Sequence, residues 1–388
     1  MRVRPWLILA AMVLARIGFG YQYQTVATLG PQLIQQFDLD YATLGTLIGA
    51  YMLLGGFLAI PLGLLSRRLG DRLVLAGGLA LMILGPLLNV IIEGPTGIGI
   101  GRSVAGVGGV AMIVLQNKII ADWFTDRWFM WAISISVAAY PIGVGLAQLV
   151  LPPLALAYGS QVCFLSGAIP IAIALVMFLG SFSSSPLTAQ ARAFRLPSAH
   201  ECLLLMVAGL IWTAYTAGYS AYTGYVPSVM AVRGESLVLT GLVLTIATWG
   251  NVPATMLGAG LIVRFGAFRI FLLSTGALVI GMLGAALLDL PVTFALLIGI
   301  VGSFHPGVII AIGTLSVRPE NRAVGMGLFY SMYYAGGAVV PALCGRAADM
   351  YGNPDGALLA AAAVSALALP MYLIHRRMTA HELMLAKA

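Results

Sequence analysis

Long apolar runs follow one another almost without interruption in this chain, and that feature decides the solvent it folds in. A helix needs about 20 residues to cross the hydrocarbon of a bilayer. Reading the runs at that length gives twelve spans: 6–30, 41–65, 73–93, 97–121, 129–151, 158–180, 202–228, 236–261, 269–288, 292–316, 323–345 and 354–375. Short polar breaks such as Asp122-Trp-Phe-Thr-Asp-Arg127 separate them. Of the residues, 60% are hydrophobic and 9% charged, against about 25% charged in soluble domains. A water-soluble core could not absorb that excess. The expected fold class is an all-α membrane protein with twelve transmembrane helices.

The positive residues fix the orientation. With both termini on one side, that side receives Arg2, Arg4, Arg67, Arg68, Arg72, Arg127, Arg192, Arg195, Arg264, Arg269, Arg318, Arg322, Arg376, Arg377 and Lys387, and the other only Arg233 and Arg346. The positive-inside rule then places both termini in the cytoplasm of a cell or inner membrane. The net charge of +7 therefore reflects topology, and no nucleic-acid partner is expected. The first run lacks the short apolar core and cleavage site of a secretory signal and is read as the first span. Cys163, Cys202 and Cys344 are scattered, without metal-ligand or redox spacing. No cofactor or metal is expected. No nucleotide loop, zincin helix or nucleophile elbow occurs, so an enzyme is not expected.

The longest polar stretch, Ser181 to Glu201, sits at the midpoint and reads as a cytoplasmic linker. It divides the chain into an N-terminal six-helix bundle (1–180), the linker (181–201) and a C-terminal six-helix bundle with a short tail (202–388). A shift of 196 residues lays Pro31 on Pro227, Tyr23 on Tyr219, Gly45 on Gly241, and Arg68-Leu-Gly70 on Arg264-Phe-Gly266. Such parallel repeats are common in transporters. Arg16 falls on Trp212, so the charge of the first half is not repeated.

Gly63-Leu-Leu-Ser-Arg-Arg-Leu-Gly-Asp-Arg72 resembles the loop motif between the second and third helices of the major facilitator superfamily, and Gly258 to Arg269 resembles its echo in the second half. Arg102-Ser-Val-Ala-Gly-Val-Gly-Gly109 is similar to that family's fourth-helix arginine and glycines. Arg67 stands where the loop motif usually carries an acid, and Tyr140-Pro-Ile-Gly-Val-Gly145 only hints at the antiporter motif. More loosely, Arg67 to Arg72 and Ala121-Asp-Trp-Phe124 resemble the cyanate/nitroimidazole-permease and anion-permease clades. The resemblance implies two pseudo-symmetric bundles around a central cavity, rocking alternating access and a monomer. It also implies gating or structural roles for Arg68, Arg72 and Arg264.

Apart from Glu93, Arg269 and Asp355 at span ends, three cations lie inside spans, Arg16, Arg102 and Lys118, and no Asp or Glu does. A charge in hydrocarbon is expensive and marks a functional site by default. Arg16 lies near the midplane, too deep to snorkel, and its planar fork matches carboxylate geometry. It is read as the anion anchor, against a structural arginine bonded to backbone carbonyls. Tyr23 shares its stripe, and Trp212, Tyr215 and Tyr219 form a facing stripe on the seventh span. Arg102, ahead of its glycines, reads as structural or gating. Lys118 either snorkels to the interface or contacts an anion at the inner gate. His305, in Gly302-Ser-Phe-His-Pro-Gly307, sits where glycine and proline interrupt the tenth span. It is the best titratable group for proton coupling and a candidate substrate contact. Tyr330, Tyr333 and Tyr334 are candidate cavity walls, and Asn251-Val-Pro253 a candidate kink.

The reading is a secondary active transporter of a small anion of the monocarboxylate type, using proton symport or anion exchange. Its partners are the small anionic substrate, the bilayer, and protons or a counter-anion. Efflux of neutral drug-like molecules is the alternative.

Overall fold

A computed structural model describes residues 3–124, 126–182, 197–318 and 321–385. Among them the first half comprises α1 (Val3–Thr28), α2 (Gly30–Phe37), α3 (Tyr41–Ala50), α4 (Gly55–Leu69), α5 (Asp71–Ile91), α6 (Gly94–Trp123), α7 (Asp126–Ser166) and α8 (Ala168–Ser181). The second half comprises α9 (Ala199–Val232), α10 (Leu237–Phe265), α11 (Ala267–Leu287), α12 (Pro291–Gly299), α13 (Pro306–Leu315), α14 (Arg322–Tyr351), α15 (Asp355–Ala366) and α16 (Ala368–Leu385).

The twelve expected passes map onto ten stretches long and apolar enough to cross a bilayer, plus α14. One stretch, Trp131–Ser181, has 51 residues and holds two passes. They separate at Gly159, whose φ of 81° lies in the left-handed region that glycine tolerates. The 30 residues of α14 have the length to cross, but their tyrosines, glycines and charged ends make the helix less apolar. The internal repeat has a structural counterpart. Gly70 and Gly266, superposed by the shift of 196, turn the chain with φ 84°, ψ 149° and φ 87°, ψ 147° respectively.

Local chemistry starts and stops the helices. Asp40 caps α3 by accepting from the Thr43 N–H at 2.7 Å, and hydrogen bonding from the Thr43 hydroxyl and N–H holds the exposed Asp40 carboxyl below its ordinary range. Ser198 and Glu201 form a reciprocal capping box at the start of α9. Glu201, assigned to the linker from sequence, is therefore a helix residue. Most of that linker, 183–196, lies outside the described residues.

The two halves meet along a seam that is closed toward the Asp40 end. Gly45 of α3 and Gly241 of α10, equivalent in the repeat, each sit against a backbone carbonyl of the opposite half: Pro341 on α14 and Gln148 on α7. Any side chain at Gly45 would strike that carbonyl and the Tyr225 hydroxyl. Leu44 and Ile48 share one apolar cluster with Tyr222, Val226 and Cys344 of the second half. The Asp349 carboxylate accepts from the N–H groups of Tyr41 and Ala42 at 2.8 and 2.9 Å, a favourable place for an anion on the first turn of α3. Tyr225 donates to the Tyr41 and Pro341 carbonyls at 2.8 and 2.9 Å. Nearer the middle, Trp249 donates to the Pro141 carbonyl at 3.1 Å and Ser331 to the Gly56 carbonyl at 3.0 Å.

Toward the Gly70/Gly266 end the polar contacts stay within each half. Lys118 pairs with Asp71 at 2.8 Å, Arg72 donates to the Leu179 carbonyl at 3.0 Å, and the Arg318 N–H donates to Glu201 at 2.8 Å. Among the described residues no hydrogen bond joins the halves there. The seam is thus shut at one end and unlatched at the other.

Removing the Asp349 latch should loosen the shut end. Asp349→Ala deletes both acceptors, which at this exposed position contribute about 1–2 kcal/mol to closure. Spin labels at Gln35 and Met350, on opposite halves, should then report a several-fold larger population of long distances by pulsed electron resonance. An unchanged distance distribution would show that the carboxylate does not hold the seam.

Candidate functional site

Where the three intramembrane cations end up decides which of them can meet a ligand. Arg102 of α6 is buried and locked onto backbone. Its Nη1 donates to the Gln22 carbonyl at 3.1 Å, and its Nη2 to the carbonyls of Tyr23 at 3.1 Å and Ile48 at 3.0 Å. The last of these has a local cause. The sequence reading ran one span through 41–65, but the helix breaks at Tyr51–Leu54. The Met52 N–H bonds to Gly49 rather than to Ile48, so the Ile48 carbonyl is left for Arg102. The guanidinium also lies 5.1 Å from the centre of the Tyr51 ring. Tyr51 donates to Gln22 Oε1 at 3.1 Å, and Gln22 Nε2 donates to the carbonyls of Met82 and Gly167 at 2.8 and 2.9 Å. Arg102 thus ties α1 and the break after α3 to α6.

Lys118 corrects the expectation that the intramembrane cations lack a negative mate. Its ammonium meets both carboxylate oxygens of Asp71, the acid of the loop motif. Helix α6 continues past the expected end of its span, to Trp123, and carries Lys118 to the level of that loop.

Arg16 alone stays unpaired. No hydrogen bond or ion pair of its guanidinium occurs among the described residues, and its Nε is buried without a partner. Its electrostatic neighbours are four tyrosines: Tyr333, Tyr334 and Tyr330 on α14 of the second half, and Tyr140 on α7 of the first. Tyr140 adjoins Pro141 and lies near Tyr23 and Tyr219 as well as Arg16 and Tyr333. Arg16 thus sits at the seam, where α1 and α7 face α14. The titratable side chains around it are neutral phenols. A half-buried cation without compensation is costly, and the titratable groups near this one are phenols, with no carboxylate among them.

The expected tyrosine stripes divide between this cluster and the closed seam. Tyr23 is buried and shares a hydrogen bond with Ser220 of the opposite half, so it stands at the floor of the shut end. Gly20, on the same stripe, packs under the Tyr140 carbonyl and lines nothing. Tyr219 stacks on Tyr215 at 6.4 Å between ring centres. Trp212, the repeat mate of Arg16, lies 5.7 Å from Tyr215 and 6.2 Å from Phe329, with its Nε1–H unpartnered.

His305 occupies an interruption, as the glycines and proline around it foretold: α12 stops at Gly299, a 3-10 turn covers Val301–Ser303, and α13 resumes at Pro306. It is fully buried, bonded through Nδ1 to Ser274, with Nε2 unpartnered. The rings of Tyr215 and Phe271 meet it edge-on at 4.6 and 5.2 Å. It is not brought against Arg16; the ring series Tyr219–Tyr215 intervenes. Asn251 supplies the expected polar contact, donating to the hydroxyls of Tyr215 and Ser303 at 3.0 and 3.1 Å. Arg68 is exposed at the end of α4, and Arg264 lies 5.2 Å from the Phe265 ring. Neither makes a bond across the seam among the described residues.

Tyr140 was missed as a site residue. Its one sequence signal was its place beside the proline of a glycine-rich segment. Tyr51 and Ser220 gave no signal, because only the tertiary fold brings them to Arg102 and Tyr23.

Comparison with known proteins places this architecture. The family model of the Major Facilitator Superfamily matches residues 9–341. The chain belongs to the Major Facilitator Superfamily. The gentisate transporter of Corynebacterium glutamicum is 25% identical over 354 residues, covering 84% of this chain and 77% of that protein. The inner membrane transport protein YajR of Escherichia coli is 32% identical over 110 residues, a local match covering 26% of this chain and 24% of that protein. Among solved structures, a D-xylose–proton symporter superposes with a TM-score of 0.77 at 18% identity, covering 95% of this chain and 97% of that one. A bacterial homolog of the human lysosomal transporter Spinster, inward-facing and occupied, gives 0.76 at 15% identity, with 97% and 98% covered. At those identities the likeness establishes the fold. As a member of the superfamily the protein is a multi-pass membrane transporter working by alternating access, and not an enzyme.

Proposed function

We propose that this Major Facilitator Superfamily member carries a small organic anion of the monocarboxylate type across a cell or inner membrane, both termini being cytoplasmic. The observation that carries the reading is the unpaired Arg16 guanidinium at the seam between the halves. A carboxylate would supply its missing charge through a bidentate, charge-assisted pair. Likeness to a gentisate transporter, a carrier of an organic acid, supports the same class. In the orientation given by the positive loops, the unlatched Gly70/Gly266 end faces the cytoplasm and the Asp349 latch the outside. Arg68, Arg72 and Arg264 lie at the cytoplasmic end, where closure would occur in the opposite state.

Uptake of a bare anion against an inside-negative potential opposes about 2.3 kcal/mol per charge per 100 mV. Proton symport or exchange against another anion would supply the difference. His305 is a poor carrier of that proton in this state, since protonation would place an unpaired charge between Tyr215 and Phe271. A proton borne by the substrate or an exchanged anion is the better reading. His305→Asn should accordingly keep the pH dependence of uptake, changing its rate by less than about threefold, the scale of a structural hydrogen bond of about 0.5 kcal/mol. Loss of the pH dependence would restore the histidine as coupling group.

The class itself is tested by thermal shift of the purified protein against small carboxylates, inorganic anions, sugars and nucleosides, because ligands of the native state raise its apparent stability. Shifts from carboxylates alone are expected. Shifts from neutral sugars or nucleosides in their place would overturn the proposal.

A further inference from the structure

Resting on the anion reading, we infer that the Arg16 site is built for an aromatic monocarboxylate: one carboxylate on the guanidinium, with a flat ring held among the tyrosines of α14 and α7.

Charge number comes first. Among the described residues Arg16 is the one charged member of the cluster, since its titratable neighbours Tyr140, Tyr330, Tyr333 and Tyr334 are neutral. The two other cations inside spans of the first half are committed, Arg102 to three carbonyls and Lys118 to Asp71. A second carboxylate on the ligand would find no cation there and would lose its hydration without compensation. The site therefore matches a monoanion.

Ring content comes next. Tyr330 and Tyr333 lie 6.5 Å apart at 82°, Tyr333 and Tyr334 5.2 Å apart at 60°, and Tyr330 and Phe329 5.3 Å apart at 88°. Tyr140 adds a tilted ring 6.2 Å from Tyr23. None of these pairs is stacked face to face; the rings meet edge-on or tilted, an arrangement that a further ring can extend. Tyr330 is 38% exposed, and Tyr333, Tyr140 and Arg16 are part-exposed although they lie between the halves. Tyrosine faces beside a cation favour a ligand that is itself flat and carries a quadrupole, through offset or edge contacts that an aliphatic ring cannot make. No Asp or Glu is among those titratable neighbours, so no carboxylate is there to accept from the many hydroxyls of a sugar.

The matched pair that tests this is benzoate against cyclohexanecarboxylate, of like size and charge. Binding is measured by calorimetry on the purified full chain in nanodiscs. Benzoate should bind about tenfold tighter, the scale of one or two aromatic pairs, and terephthalate, the dianion, should bind more weakly than benzoate. In Tyr330→Leu/Tyr333→Leu the preference should fall to about one, whereas Arg16→Lys should weaken both acids alike. Should the double variant fail to fold, Tyr330→Leu alone serves, because its half-open position tolerates truncation and should reduce the ratio. Equal affinities of the two acids for the wild type, or a preference undiminished in the tyrosine variants, would overturn the inference while leaving the anion reading intact. Binding of nitrate through Arg16 with neither organic acid would overturn the inference and the organic-anion reading together, leaving only the anion contact at Arg16. If no anion binds at all, both fall together.

Discussion

Arg16→Ala should abolish anion uptake into proteoliposomes while the protein still folds. The expected loss is at least a hundredfold, because a charge-assisted bidentate pair in a site largely withdrawn from water contributes about 3 kcal/mol or more. Folding should survive, since Arg16 holds no structural partner: its Nε is orphaned and no bond would be broken. Removing an unpaired cation should also raise thermal stability, as the partial burial of a charge without compensation is relieved. Arg16→Lys should retain a fraction of the uptake, because the charge remains but the planar fork is lost. Wild-type uptake by both variants would show that the guanidinium does not meet the substrate.

Arg102 should behave in the opposite way, with stability failing before transport. Arg102→Leu leaves the Ile48 carbonyl without the donor that replaced its helical partner, and strips a second bond from the carbonyls of Gln22 and Tyr23. Leaving one buried carbonyl unsatisfied and losing two further charge-assisted bonds costs about 3–5 kcal/mol in total. A marked fall in apparent melting temperature in detergent is expected, with residual uptake roughly proportional to the folded fraction. Arg102→Lys should recover part of the stability, since an ammonium can reach one or two of the three carbonyls but not hold all of them in one plane. A fully stable Arg102→Leu variant that no longer binds anions would reverse the roles assigned to the two arginines.

These two residues mark where the sequence speaks and where it stops. Both announce themselves as guanidinium groups inside apolar runs, and the chain's periodicity tells which helix carries each. What separates them is tertiary. Arg102 is held by three backbone carbonyls, one of which, that of Ile48, is free only because the helix after it breaks, and that break is held by a side chain more than fifty positions away. A run of Tyr51-Met-Leu-Leu54 with glycines on either side reads as easily as a continuous helix. Lys118 looked stranded for a related reason. Asp71 was assigned to a loop, and only the length of α6 and the reach of the lysine stem bring the two within 2.8 Å.

The duplicated halves were legible because turns constrain residue type: Gly70 and Gly266 share a left-handed φ that few other residues adopt. Gly45 and Gly241 were legible as a pair but not as the close approach between halves, which depends on Pro341 and Gln148. The interruption at His305 followed from Gly302 and Pro306, yet its isolation from Arg16 did not, since nothing in the spacing tells how far Tyr215 and Phe271 enclose it. Tyr140 joined the cluster from a helix whose sequence advertised only glycine and proline.

The central claim is that the passenger's negative group rests on Arg16, and a distance tests it most directly. With carboxyl-13C benzoate bound to protein carrying 15N-labelled arginine, dipolar recoupling NMR should find the carboxylate carbon about 4 Å from a guanidinium nitrogen, as an N–H···O pair demands. That signal should vanish in Arg16→Gln and persist in Arg264→Gln. A bound carboxylate showing no such coupling, or one whose coupling survives Arg16→Gln, would contradict the account.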